Sequence, residues 1–373
     1  MTLEQALHYI HAVCWKGSIP GLERIEALLD KMGHPERACK FVHVAGTHGK
    51  TTTTAMLSKI LVDCGLDPAV HIGGDYDYIS GSTRLGAKNV FVAEACEFHS
   101  SFLEMHPTVA IVLNIQEDHL DYYKDLADIA NAFRKFVGKV PPEGVFIGNG
   151  EDENVLAIMK DAACRSETFG FAENCNWRPH GLTLDGEGRP SFTLTFHGEP
   201  VCEMTLRVAG QFNIMNAMAA MAAAHALGAD MQKAAAALST FENVHRRFEL
   251  TSVTDGVKVY HDYGHNPVEM AGALSVAKLQ HANRIWAVMQ PHTYSRTKAL
   301  SSACFRITST AATRRTRSSS RISAPRARSI RAISTARCSS TPSPPPASTF
   351  ISPPPSTIPS AICARTGSPA ISS

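Results

Sequence analysis

Lys50 and Thr51 stand side by side at the end of Gly46-Thr47-His48-Gly49, and that set of residue types is suited to holding a phosphate. Glycines let the backbone approach closely, the N–H groups of a following helix face the anion, and a lysine adds a point charge. The hydroxyl of Thr51 can serve a magnesium ion, and Thr52 continues into a helical pattern through Leu61. An apolar run, Phe41 to Ala45, precedes the loop, giving the strand, loop and helix order that such a site requires. The usual spacing has a further glycine where Val44 stands. The stretch therefore reads as a shortened phosphate loop, or else as a Thr/Gly-rich turn between a strand and a helix. As a phosphate loop it implies a bound nucleoside triphosphate and leaves the reaction open.

Other polar groups stand where apolar runs end. "FVAEACEFHSSFL" places Glu94 at one such end with Glu97 three residues on, and "LNIQEDHLDYY" places Asn114, Asp118, His119 and Asp121 past another. Glu94 and His119 could join Thr51 around magnesium, although that hard cation prefers oxygen to imidazole. Taken singly, each is equally a surface cap or a satisfied buried polar group. Farther on, "HRRFEL" and "HDYGHNPVEM" supply Arg246, Arg247, Asp262, Tyr263, His265 and Asn266, and "VMQPHTYSR" adds His292, Tyr294 and Arg296. An arginine pair is often a solvated face. Placed over a phosphate from a second domain, it would neutralise charge that develops in phosphoryl transfer.

The elements that must position these residues alternate. "NVFVAEA" and "TVAIVLNI" are short continuous apolar runs of the kind a buried parallel sheet uses. "LADIANAFRKFVGKV" has helical spacing and "GVFIGNG" reads as the next strand, an α/β doubly wound pattern in which ligands sit beyond the carboxyl ends of the strands. Residues 191–210 alternate with period two, as an added β-hairpin would. Residues 213–228 form an alanine-rich helix closed by Gly228. Leu22, Ile25, Leu28 and Leu29 give one apolar face to the second of two helices expected within residues 3–33. Four segments follow: an N-terminal helical segment (1–40), a central nucleotide-binding domain (41–243), an incomplete Rossmann-like α/β domain (244–300) with strands at "GVKVYHDY" and "RIWAVMQ", and a tail (301–373).

Composition divides the chain at the same place. Residues 301–373 hold ten arginines and no Lys, Asp or Glu, leaving 26 basic and 34 acidic side chains in residues 1–300, a net of about −8. An acidic body gives no support to nucleic-acid binding. The Ser/Pro/Arg-rich tail has neither helical nor strand period and reads as disordered. Ten scattered cysteines without a CxxC pair point to free thiols in a reducing compartment. There is no signal-peptide pattern and no apolar run long enough to span a bilayer, so a cytoplasmic, membrane-free protein is expected.

In "GTHGKTTT", "VAEACEFHSSFLEMHPTVAIVLNIQEDHLDYY", "GQFNIMNAMAA", "RRFE", "DYGHNP" and "QPHTYSRT" the chain resembles the Mur ligase family of ATP-dependent amide-forming ligases. The likeness over about 65 to 300 is strongest to the branch that joins alanine to a UDP-sugar carboxylate in peptidoglycan synthesis. Residues 9 to 50, with "GLERIEALLDKMGHPERACKFVHVAGT", instead resemble the start of the folylpolyglutamate synthases. The resemblance implies that ATP phosphorylates a substrate carboxylate and that an amino acid's amine then attacks the acyl phosphate. It implies that Lys50 and the amides of residues 46–52 hold the phosphates, that Thr51 and Glu94 hold one Mg2+, and that His119 helps hold a second. It places Asn213 at the adenine and Asp262 at the nucleoside and phosphate side. Arg247 and His265 fall near the transferring phosphate, and Tyr263, His265 and Arg296 near the acyl acceptor and its amino acid.

The sequence also departs from the family pattern. No leading uridine-nucleotide domain is recognised, the family's "ADES" is "ACEF" at 95–98, and Thr293 stands where an arginine is expected. The motifs end near Leu300, where the abrupt loss of acidic residues reads as a change of reading frame. A folate-type or poly-amino-acid ligase, and a nucleotide-binding module without catalysis, are the competing readings.

Overall fold

The computed structural model describes residues 5, 8, 23–34, 38–87 and 89–290, and the backbone of two short strands at 316–320 and 361–365. The chain divides into two compact units, Met1–Cys39 and Lys40–Ser373. In the first, helix Glu23–Met32 buries no residue, and Ile25 is exposed. The buried face expected there is absent because, among the described residues of that unit, no second element covers it. The other helix expected within residues 3–33 lies outside the described residues.

The second unit is built on a ten-stranded sheet. Its strands are β1 (Lys40–Ala45), β2 (Ala69–Tyr76), β3 (Gly81–Arg84), β4 (Val90–Glu94), β5 (Val109–Val112), β6 (Val145–Asn149), β7 (Arg165–Phe169), β8 (Trp177–Leu184), β9 (Pro190–Phe196) and β10 (Glu199–Thr205). The order is β10-β9-β8-β7-β6-β5-β1-β4-β2-β3. β1 pairs in parallel with β4 on one side and β5 on the other, so the chain reverses its winding at β1. That is the position where open α/β sheets leave a crevice at the strand ends.

Alternation along the parallel strands separates two cores. Val42 and Val44 of β1, Ile111 of β5 and Ile147 of β6 point to one face, under helices Lys50–Asp63, Gln211–Ala226 and Met231–Ser239. Ala45, Ala110, Val112 and Phe146 point to the other, under helices Leu126–Val137 and Glu153–Met159. Buried alanines let helix 211–226 lie against helix 50–63. Helix 50–63 is buried from Thr51 to Leu61, and the hydroxyls of Thr53 and Thr54 have no hydrogen-bond partner among the described residues. Helix 211–226 ends as expected at Gly228, whose positive φ of 79° accompanies bonds from Gly228 N to His225 O and from Ala229 N to Ala224 O.

The hairpin expected in 191–210 is β9–β10, turned by His197-Gly198 with both residues left-handed. β8 extends it to a three-stranded antiparallel edge, and β2–β3 form a second antiparallel pair at the other edge.

Beyond residue 245 lies a second sheet, order β11-β12-β15-β13-β14, with β11 (Glu249–Thr254), β12 (Val257–His261), β13 (Arg284–Met289), β14 (Thr316–Ser320) and β15 (Ala361–Arg365). Helix Pro267–Leu279 covers it, around a small core of Tyr260, Ala273, Leu274, Ala277 and Ile285. The two strands read from the sequence are β12 and β13. β11 was not expected, although Asp255-Gly256, both left-handed, turn it into β12. Segment 301–373, expected to be unstructured, contributes β14 and β15. The open edges of β12 and β13 present backbone N–H and C=O groups that pair with an extended chain whatever its side chains. No helix among the described residues is long and apolar enough to cross a membrane.

Candidate nucleotide site

The loop is four residues long, 46–49, between the end of β1 and the start of helix 50–63. Val44, standing where the longer pattern has glycine, is a fully buried strand residue paired with Glu94. The two glycines present are required. Gly46 has φ 139° and a Cβ there would stand 3.1 Å from the Leu113 Cβ; Gly49 has φ 84° and a Cβ there would stand 2.8 Å from Asn216 Oδ1. Asn114, just past β5, fixes the loop from the neighbouring strand. Its Oδ1 accepts from His48 N at 2.8 Å, and its carbonyl accepts from Thr47 N at 3.2 Å.

Lys50 turns back toward this loop. Its Nζ donates to Gly46 O at 2.5 Å and to both oxygens of Glu97, at 2.9 and 3.2 Å. Burial acts to lower the Lys50 pKa, but the Glu97 carboxylate outweighs it, so the ammonium is held above its ordinary value. Glu97 is only 3% exposed. It was noted in the sequence but given no role, and the signal that could have found it is its position three residues after Glu94.

Thr51 Oγ1 donates to Glu94 Oε2 at 3.1 Å and accepts from Arg247 Nη2 at 3.1 Å. Glu94 is further held by the Gly73 amide at 2.5 Å. Arg247 reaches the loop because its turn is shaped for it. Arg246 and Phe248 on either side have φ of 63° and 48°; Arg246 N donates to Glu249 Oε2 at 2.7 Å and Phe248 N to Asp262 Oδ2 at 2.9 Å. Asp262 also accepts from Gly264 N at 2.6 Å. Burial pushes its carboxyl pKa up, and these amides with Arg247 offset only part of that.

A cavity of about 610 Å³ opens beside the loop, walled by His48, Gly49, Thr52, Asn213, Arg247 and Asp262 among others, and by residues at the ends of β6 and β7. Asn213 is buried there with its Nδ2 donating to Ala209 O at 2.8 Å. Lys50, Thr51 and Glu94 are not part of that wall; Arg247, which is, bonds to Thr51 and through it reaches Glu94.

Other expected residues stand apart. The His119 ring lies against Phe98, 4.7 Å between centroids, and no hydrogen bond joins it to Thr51 or Glu94 among the described residues. No group of three His, Cys, Asp or Glu side chains among those residues is arranged to hold a metal. Tyr263 lies under the Arg246 and Arg247 guanidinium groups, at 4.9 and 5.5 Å, with His265 5.4 Å away ring to ring. Arg296 lies outside the described residues.

Comparison with known proteins follows this division. The Mur ligase middle domain matches residues 44–224, and the Mur ligase glutamate ligase domain matches residues 246–338, running past Leu300 where the motifs end. The UDP-N-acetylmuramate–L-alanine ligase of Acetivibrio thermocellus is 46% identical over 260 residues, 69% of this chain and 55% of that protein. The chain thus spans about half the length of that relative. The crystal structure of a UDP-N-acetylmuramate:L-alanyl-γ-D-glutamyl-meso-diaminopimelate ligase from Neisseria meningitides is 30% identical, with a TM-score of 0.52 over 61% of this chain and 78% of that one. A folylpolyglutamate synthase structure from L. casei shares the fold, with a TM-score of 0.61 at 16% identity over 81% of this chain and 86% of that one.

Proposed function

This chain belongs to the Mur ligase family, and from that premise we propose that it is an ATP-dependent carboxylate–amine ligase. The acceptor we assign is the carboxylate of a UDP-sugar of the UDP-N-acetylmuramate type, and the amine is that of L-alanine, as in the relative that is 46% identical. The observation that carries this reading is the bridge from Arg247 through Thr51 to Glu94. It draws a cation from the second sheet onto the residue that follows the loop lysine.

In the proposed reaction a carboxylate oxygen attacks the γ-phosphorus and ADP leaves. The amine then attacks the acyl carbon of the resulting acyl phosphate, and phosphate departs as the amide forms. The work left to the protein is positioning and charge neutralisation. Loop amides of 46–52 cradle the phosphates, Lys50 neutralises their β/γ side, and Arg247 approaches from above. The 610 Å³ cavity, with Asn213 and Asp262 in its wall, takes the nucleoside. Tyr263, His265 and Arg296 are assigned to the acceptor side.

Magnesium fits the donors present. A hydroxyl and a carboxylate stand 3.1 Å apart at Thr51 and Glu94, and magnesium typically takes one or two carboxylates together with water and substrate phosphate. When bound it would supply countercharge to the phosphates. We keep His119 as a contributor to a second ion. The test is phosphate release from ATP that requires both UDP-N-acetylmuramate and L-alanine. Release with a folate or a poly-amino acid in their place would move the chain to that branch. Nucleotide binding without release under any of these conditions would leave it a binding module.

A further inference from the structure

A chain of three polar side chains, Asn266, His48 and Gln116, links the helix that covers the second sheet to the loop, and one unambiguous donor fixes the direction of every bond in it. That donor is the backbone N–H of Glu269, which donates to Asn266 Oδ1 at 3.0 Å. Asn266 is the N-cap of helix 267–279 and is only 4% exposed. With its oxygen turned to the helix, its Nδ2 is the atom 2.9 Å from His48 Nδ1. An amide nitrogen can only donate, so His48 Nδ1 accepts. The proton of a neutral imidazole then sits on Nε2, which lies 2.8 Å from Gln116 Oε1. The Glu269 carboxylate is 3.8 Å from the same Nδ1, beyond hydrogen-bond reach, and is occupied by His265 N at 3.0 Å.

We propose that Asn266 is a positioning residue for the nucleotide loop: it locks His48 as the neutral Nε2–H tautomer, making the seating of helix 267–279 and the shape of loop 46–49 one coupled event. His48 is tied on three sides, to Asn114 through its own backbone, to Gln116 through Nε2 and to Asn266 through Nδ1. When Asn266 withdraws, Nδ1 loses its only donor in this chain of bonds, and His48 loses one of its three ties. Nucleotide that fills the adjoining cavity therefore gains contacts from a seated helix, and a seated helix presents a better ordered loop. The consequence for affinity rests on the nucleotide reading proposed above; the tautomer does not.

The discriminating substitution is Asn266→Asp in the full chain. Aspartate caps a helix as well as asparagine does, so a merely structural role is preserved, yet it cannot donate to His48. Imidazole 15N spectra, with His48 assigned by its loss in His48→Gln, should show the Nε2–H tautomer in the parent chain and a proton on Nδ1 in the Asp variant. Titration with Mg·ADP should show about fivefold to tenfold weaker binding for Asn266→Asp, the range expected for one buried hydrogen bond. An unchanged tautomer in the variant, or Mg·ADP affinity equal to the parent's, overturns the proposal. Should the variant not fold, the parent spectrum decides: Nδ1–H or imidazolium at pH 7.5 overturns it, and Nε2–H supports it. A parent chain that binds no Mg·ADP but shows the Nε2–H tautomer overturns the coupling to nucleotide together with the assigned ligand, while the lock on His48 stands.

Discussion

At the scale of single residues, the loop's chemistry was legible because glycine, lysine and threonine each answer one need of a phosphate. Its counterweights were not. Glu97 closes on Lys50 from the turn that follows β4, and no periodicity announces such a turn. Gln116 and Glu269 are equally ordinary in sequence and gain meaning only opposite His48 and His265. Lys50→Ala should weaken Mg·ATP binding by about two orders of magnitude, since a charged hydrogen bond is worth roughly 1.5–3 kcal/mol and no other loop side chain is cationic. Calorimetric titration of parent and variant reads this directly; equal affinities would remove the loop from nucleotide binding. Glu94→Gln keeps size and removes charge, so the Mg2+ needed for half-maximal ATP binding should rise by roughly tenfold. An unchanged magnesium titration would make Glu94 a structural partner of Gly73 and Thr51 only.

At the scale of elements, the strands with continuous apolar runs and the alternating β9–β10 hairpin were found, while β2, β3, β7 and β11 were missed. β2, with the glycines of "HIGGDY", and the exposed β11 carry weak patterns, because three of the eight residues of β2 and five of the six of β11 are exposed. For β11 the Asp255-Gly256 turn was the available clue. The joint between the two sheets also escaped notice. His245 bridges them, with Nδ1 2.8 Å from Glu249 Oε1 and Nε2 2.9 Å from Asp77 Oδ1. Hydrogen bonds to these two carboxylates raise its pKa from 6.5 to about 9, against a smaller effect of burial. A raised histidine contributes stability that is complete below its unfolded value and is lost as pH climbs through its folded one. The joint should therefore loosen progressively between about pH 6.5 and 9. Thermal midpoints measured across that window should fall more for the parent than for His245→Gln. Parallel curves would mean that the bridge contributes nothing measurable.

At the scale of the whole molecule, two cores of very different size border one crevice. The central sheet is sandwiched between helices on both faces, whereas among the described residues five buried side chains form the core of the second sheet. Opening free energies should follow that difference. Amides of β12 should exchange with solvent about 100-fold faster or more than those of helix 211–226, as read by native-state hydrogen exchange; equal protection would show that the two sheets open together. The sequence conveyed this inequality through its shift in composition near residue 300. It did not convey that β14 and β15 pair with β12 and β13, since edge pairing depends on backbone alone. One feature beneath the loop bears on engineering. Thr53 is fully buried with an unpartnered hydroxyl, so Thr53→Val discards a desolvated polar atom and keeps the shape. A gain of about 1–2 kcal/mol is expected, a rise of a few degrees in the melting midpoint, with Mg·ADP affinity unchanged. The rod that carries the loop can thus be hardened from within, leaving every atom assigned above to nucleotide as it is, which makes it the place to begin if a sturdier version of this scaffold is wanted.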